Sequence, residues 1–162
     1  MNKSYPFGYF LILLSIYIFS PMPLLAVEQN GLSDGETVYV AAYSHIYIGS
    51  LERPFLLTVT LSIRNIDPDH QIKITMVDYY ETQGKLLKKH LDKPVILKPL
   101  ESLRYIIPEK DKSGGSGANF IVGWKSDKVV NPPIVESIMI GAQSGQGISF
   151  TSRGRVIIPS KQ

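Results

Sequence analysis

From Phe55 onward, apolar and polar residues alternate. Phe55, Leu57, Val59, Leu61 and Ile63 fall on one side of an extended chain, and Leu56, Thr58, Thr60, Ser62 and Arg64 on the other. A period of two is the pattern of a strand with one buried face. After Asn65-Ile66-Asp67-Pro68-Asp69-His70, where Pro and Asp favour a reversal, Ile72, Ile74 and Met76 resume the alternation against Lys73 and Thr75. The pattern predicts two antiparallel strands, partners in one half-buried sheet.

The same reading extends along the chain. Residues 27–36 hold Asn30-Gly31 and Asp34-Gly35 without apolar periodicity and are expected to form a lead-in segment. Thr37 to Ile48 is rich in β-formers and predicts a strand broken near Ala42. Val77 to Glu81 extends the strand from Ile72, and Thr82-Gln83-Gly84 reverses into a short edge strand, Lys85 to Leu91, whose lysines blunt the edge. Val95-Ile96-Leu97, bracketed by Pro94 and Pro99, and Ser102 to Ile107 follow. Glu109 to Gly117 reads as a mobile, glycine-rich loop and Asn119 to Lys125 as a central strand, with Trp124 in the core. Ile134 to Ala142 and Ile148 to Ile158 are the last two strands predicted. About eight short strands, with no helix to cover a parallel sheet, predict an all-β, antiparallel two-sheet sandwich of immunoglobulin-like type. A partly closed barrel is the alternative.

The N-terminus departs from this pattern. Lys3 is followed by an apolar run from Tyr9 to Phe19 and then Ser20-Pro21-Met22-Pro23-Leu24-Leu25-Ala26. That run falls within the ~7–15 residues of a signal-peptide core and short of the ~20 needed to span a bilayer. Residues 1–26 are therefore read as a signal peptide cut before Val27, with 37–162 as one sandwich domain. The expected location is periplasmic or secreted, with an uncleaved membrane anchor as the alternative.

Composition narrows the function classes. The 162 residues are 44% hydrophobic and 19% charged, which suits a packed core and argues against disorder. The net charge is +3, too small to imply nucleic acid. There is no cysteine, hence no disulfide framework, thiol nucleophile or lipid-attachment site.

A serine hydrolase would have to pair Ser116 or Ser144 with His45 and an acid such as Asp78. The segment Gly114-Gly115-Ser116-Gly117-Ala118 lacks the last glycine of a nucleophile elbow and sits between strands, so this reading is an alternative only. Asp67, Asp69 and His70 offer metal-ligand types, but a turn needs Asp and Pro for its own chemistry. Glu109 and Asp111 lack the oxygen-ligand density of a calcium loop. Neither glycine loop carries a phosphate-cradle pattern, and no cofactor is expected. Tyr39, Tyr43, Tyr47, Tyr79 and Tyr80 could stack on a sugar, yet tyrosine is common wherever a strand is half buried.

Five runs stand out, Val38 to Tyr47, Thr60 to Asn65, Asp78-Tyr79-Tyr80, Ser113 to Phe120, and Ser144 to Arg155. Together they resemble the bacterial domain-of-unknown-function family 3124. The resemblance covers nearly everything after Glu36. It departs at Ala41, where Pro is expected, and it implies no activity and no functional residue.

What remains is a binding module of the envelope, recognising a protein partner or an anionic glycan; a purely structural, membrane-tethered domain is a further alternative. The candidate site is the last strand. Without a bulge at Gly154, Ser149, Thr151, Arg153 and Arg155 project to one side, and two arginines beside two hydroxyls suit a carboxylate or phosphate.

Overall fold

The computed structural model describes residues 31–48, 52–143 and 145–158. The expected signal peptide lies outside them. Twelve strands form among the described residues, in the order β1 (Ser33–Ala41), β2 (His45–Ile48), β3 (Arg53–Leu56), β4 (Thr58–Arg64), β5 (Ile72–Tyr80), β6 (Leu86–Lys89), β7 (Val95–Leu97), β8 (Ser102–Ile107), β9 (Asn119–Val130), β10 (Ile134–Gln143), β11 (Gln146–Arg153) and β12 (Arg155–Ile158). Among the described residues one 3-10 turn, Gly115–Gly117, falls between β8 and β9.

Two antiparallel sheets face each other. One runs β12-β1-β9-β5-β6, with β7 also paired to β5; the other runs β11-β10-β4-β8, and β2 and β3 form a separate ribbon. Neither sheet closes on itself, so the architecture is a β-sandwich and the barrel alternative falls.

The period-two row is the heart of the core. Leu57, Val59, Leu61 and Ile63 are wholly buried and Phe55 nearly so, in one cluster with Val122, Trp124, Ile74 and Tyr79 of the opposite sheet. The row survives a change of partner at Leu57: β3 pairs with β2, whereas β4 pairs with β8 and β10. Ser137 ties the layers together, its hydroxyl on β10 donating to the Ala41 carbonyl of β1 at 2.5 Å.

Three expectations are corrected. The strand from Ile72 is not the partner of the strand from Phe55: β5 belongs to the sheet of β9, β6 and β7 and β4 to the other. The intervening loop crosses the sandwich and is held by buried side chains. Asn65 Nδ2 donates to the carbonyls of His70 and Lys98 at 2.8 and 2.9 Å, while Asn65 Oδ1 accepts from the Asp67 amide. Asp67 Oδ1 in turn accepts from the amides of Asp69 and His70, and its Oδ2 from the Asn131 amide across the molecule. The Asn and Asp turn bonds that suggested a hairpin serve instead to carry the chain between layers.

The expected lead-in is also partly strand. β1 begins at Ser33, where Ser33 faces Val130, and the register shift between Ser33 and Gly35 hides the alternation from sequence.

Lastly, Ile148 to Ile158 is two strands. At Gly154 the chain leaves β10 and joins β1. The Gly154 amide donates to the Val135 carbonyl at 2.8 Å, and a Cβ there would lie 2.5 Å from Val38 Cγ1 and 2.8 Å from that same carbonyl. Only glycine fits where the edge strand switches sheets.

Candidate functional site

The outer face of the β11-β10-β4-β8 sheet follows from register. Directly opposed residues of antiparallel strands share a face. Arg153 faces Glu136, Glu136 faces Ser62, and Ser62 faces Arg104, so one row crosses all four strands. The next row holds Thr151, Ile138, Thr60 and Ile106, and beyond it Ser149 faces Ile140, which faces Thr58. Arg64 lies at the other end of β4, opposite Ser102 and Ile134.

Three arginines therefore stand on one face around a single glutamate. Arg64 Nε donates to Ser62 Oγ at 3.1 Å and lies 3.9 Å from Glu136 Oε1, a weak ion pair at a half-exposed site. Among the described residues, the Arg104 and Arg153 side chains have no hydrogen-bond or ion-pair partner, and both residues are exposed. Between Arg64 and Arg104 a shallow cleft of about 260 Å³ opens over Thr60, Ser62 and Ser102. Guanidinium forks beside hydroxyl donors can take a carboxylate, sulfate or phosphate by paired hydrogen bonds.

The sequence-derived row is brought together only in part. Ser149, Thr151 and Arg153 share this face, exposed. Arg155, past Gly154, faces Tyr39 on the outer side of the other sheet. Arg64 and Arg104 were missed as partners of Arg153, although each alternates with inward residues in its own strand. Which strands lie side by side is not written in those alternations.

The hydrolase constellation is not assembled among the described residues. His45 Nε2 lies 3.3 Å from the Tyr47 hydroxyl, Asp78 stands opposite Lys89 and Ile121, and no hydrogen bond joins either of them to Ser116. Ser144 lies outside the described residues. Asp67 and His70 bond to each other at 3.2 Å, and both Asp67 oxygens are engaged by backbone amides. Among the described residues no group of three His, Asp or Glu side chains is placed to hold a metal.

The glycine loop expected to be mobile is clamped at the end of the sandwich. Thr82 donates its amide and its hydroxyl to the Gly114 carbonyl, and Thr82 Oγ1 accepts from the Gly117 amide, each at 3.0 Å. Ser44 reaches the loop from the other side, its amide donating to the Gly115 carbonyl and its buried hydroxyl meeting the Tyr79 hydroxyl at 3.1 Å. Burial pushes the Tyr79 hydroxyl up in pKa, which keeps it protonated for this pair. A Cβ on Gly114 would strike the Tyr79 hydroxyl, and Gly115 adopts φ +76°. The runs around Ser44, Tyr79 and Gly114 are thus one structural knot.

These features define an open β-sandwich with three arginines gathered on the outer face of one sheet. The chain belongs to the DUF3124 family of proteins of unknown function, whose model matches residues 35–157. No curated protein matches it. It is similar to a solved structure described as Thermotoga maritima 1070, at 15% identity and a TM-score of 0.47, over 77% of this chain and 97% of the other.

Proposed function

We propose that this protein is a non-catalytic binding module of the bacterial cell envelope, exported by its N-terminal segment and built as an immunoglobulin-like sandwich, that recognises anionic groups on a protein or glycan. The observation that supports it is the placement of Arg64, Arg104 and Arg153 on one exposed sheet face with Glu136 as the lone acid. Arg104 and Arg153, exposed and without internal side-chain partners, need no rearrangement to meet a ligand, Arg64 is held beside them by Ser62 and Glu136, and hydroxyls of Ser149, Thr151 and Thr60 add neutral donors. Because the site is solvated, its attraction is salt-dependent.

The test is titration calorimetry of the chain from Val27 onward with a uronate polysaccharide and, separately, an acidic peptide. Replacing Arg64, Arg104 and Arg153 together by alanine is expected to weaken binding at least roughly tenfold, as loss of charge-assisted hydrogen bonds does, with little change in thermal stability. Arg155→Ala, on the other sheet, is expected to leave binding intact. Equal affinity for the triple variant and the wild type defeats the proposal. Which probe binds separates a glycan from a protein partner.

A further inference from the structure

The free edges of the two sheets are not alike. β6 is four residues long and carries Lys88 and Lys89, while β8 is bracketed by Pro99 and Pro108. Lysine and proline are the usual guards of a sheet edge. β11 has neither. It runs eight residues in unbroken register with β10, and its other side pairs with nothing among the described residues. The core is also open along it: Ile148 and Phe150 point inward yet are only half buried, whereas Met139 on the neighbouring strand is fully enclosed. On the same side of the sandwich, the next strand shows Val156, Ile157 and Ile158 to solvent at 44%, 50% and 57% exposure.

We infer that this edge pairs with β11 of a second copy of the chain, antiparallel about a two-fold axis at Ser149. An unpaired and unguarded ladder of amides and carbonyls is a ready template for another extended chain, which replaces water along the whole row at once. A second copy supplies one whose pattern fits in a single register: Ser149 opposite Ser149 sets Ile148 opposite Phe150 on the inner face, in both halves at once. The two Arg153 side chains then stand roughly 27 Å apart, eight residues along the ladder, so no like charges meet. The exposed Val156 to Ile158 run of each copy comes to the same seam and loses its contact with water. The four-stranded sheets join into one of eight strands, with both arginine faces on the same side. That arrangement holds whether or not those faces bind anions.

Sedimentation equilibrium of the wild type in ligand-free buffer, across micromolar to millimolar concentrations, tests this, together with hydrogen exchange of the β11 amides. A monomer–dimer equilibrium is expected, with β11 amides slower to exchange as concentration rises. Ser149→Lys puts like charges opposite each other at an exposed position and is expected to raise the dimer dissociation constant at least tenfold, without shifting the unfolding midpoint of the dilute protein. Ile157→Lys, equally exposed, is expected to act the same way through the flanking seam. A wild type monomeric throughout, a dimer with concentration-independent β11 exchange, or one indifferent to both substitutions overturns the inference.

Discussion

Trp124→Ala is expected to lower folding stability by about 3–5 kcal/mol, the range for deleting a large aromatic side chain from a packed core. Trp124 is 1% exposed, on β9, among the inner residues of both sheets. Its indole Nε1 is buried without a hydrogen-bond partner in the protein, so the loss comes from packing and the cavity left behind. Trp124→Phe should therefore cost much less, since no hydrogen bond is broken. Denaturant unfolding of the two variants checks this, and an unchanged midpoint for Trp124→Ala contradicts the core assignment. As the sole tryptophan, Trp124 also reports unfolding of the wild type by its own fluorescence.

The second large effect is at Asp67. Amides of Asn131, Asp69 and His70 and the His70 ring hold its carboxyl well below its ordinary value of 3.8, against the opposing effect of burial. A depressed carboxyl binds fewer protons folded than unfolded in this window. Its contribution is complete above the unfolded value and is lost as pH falls from about 4 toward the folded value.

His90 acts higher on the scale. Burial first, and then the nearby Lys88, push its pKa down from 6.5, with Asp78 opposing, and its Nε2 is enclosed beside the rings of Tyr105 and Phe120. Here too the unfolded chain binds more protons, so stability declines as pH drops below 6.5. Melting curves across pH should show two declines. Asp67→Asn is expected to lower the melting temperature by several degrees at neutral pH, because its new amide confronts the Asn131 donors, and to flatten the lower decline. His90→Leu should flatten the upper one alone. A pH profile of Asp67→Asn parallel to wild type contradicts the assignment.

Much of this fold is legible in the sequence because a period of two states which side of a strand is buried. The row from Phe55 to Ile63, the inward Trp124 and the break near Ala42 all follow from local pattern. Partnership does not. Both sheets bury their inner rows in one core, so the rows of β4 and β5 look like neighbours although they belong to opposite layers. Gly154 reads as a possible bulge; that it carries the chain between sheets depends on Val38 and Val135, more than a hundred and nearly twenty residues away. The same limit explains the site. Arg153 was legible beside Ser149 and Thr151, but Arg64 joins it only through two strand registers and Arg104 through three.

The most direct test of the anion-binding face is a nuclear magnetic resonance titration of the ¹⁵N-labelled chain from Val27 onward with a short uronate oligosaccharide and an acidic peptide. The expected result for the binding probe is a set of shifts confined to the arginine side-chain Nε signals of Arg64, Arg104 and Arg153 and to amides of Thr60, Ser149 and Thr151, fading as salt rises. Shifts centred on Tyr39 and Arg155 of the other sheet, or none with either probe at high concentration, would contradict it.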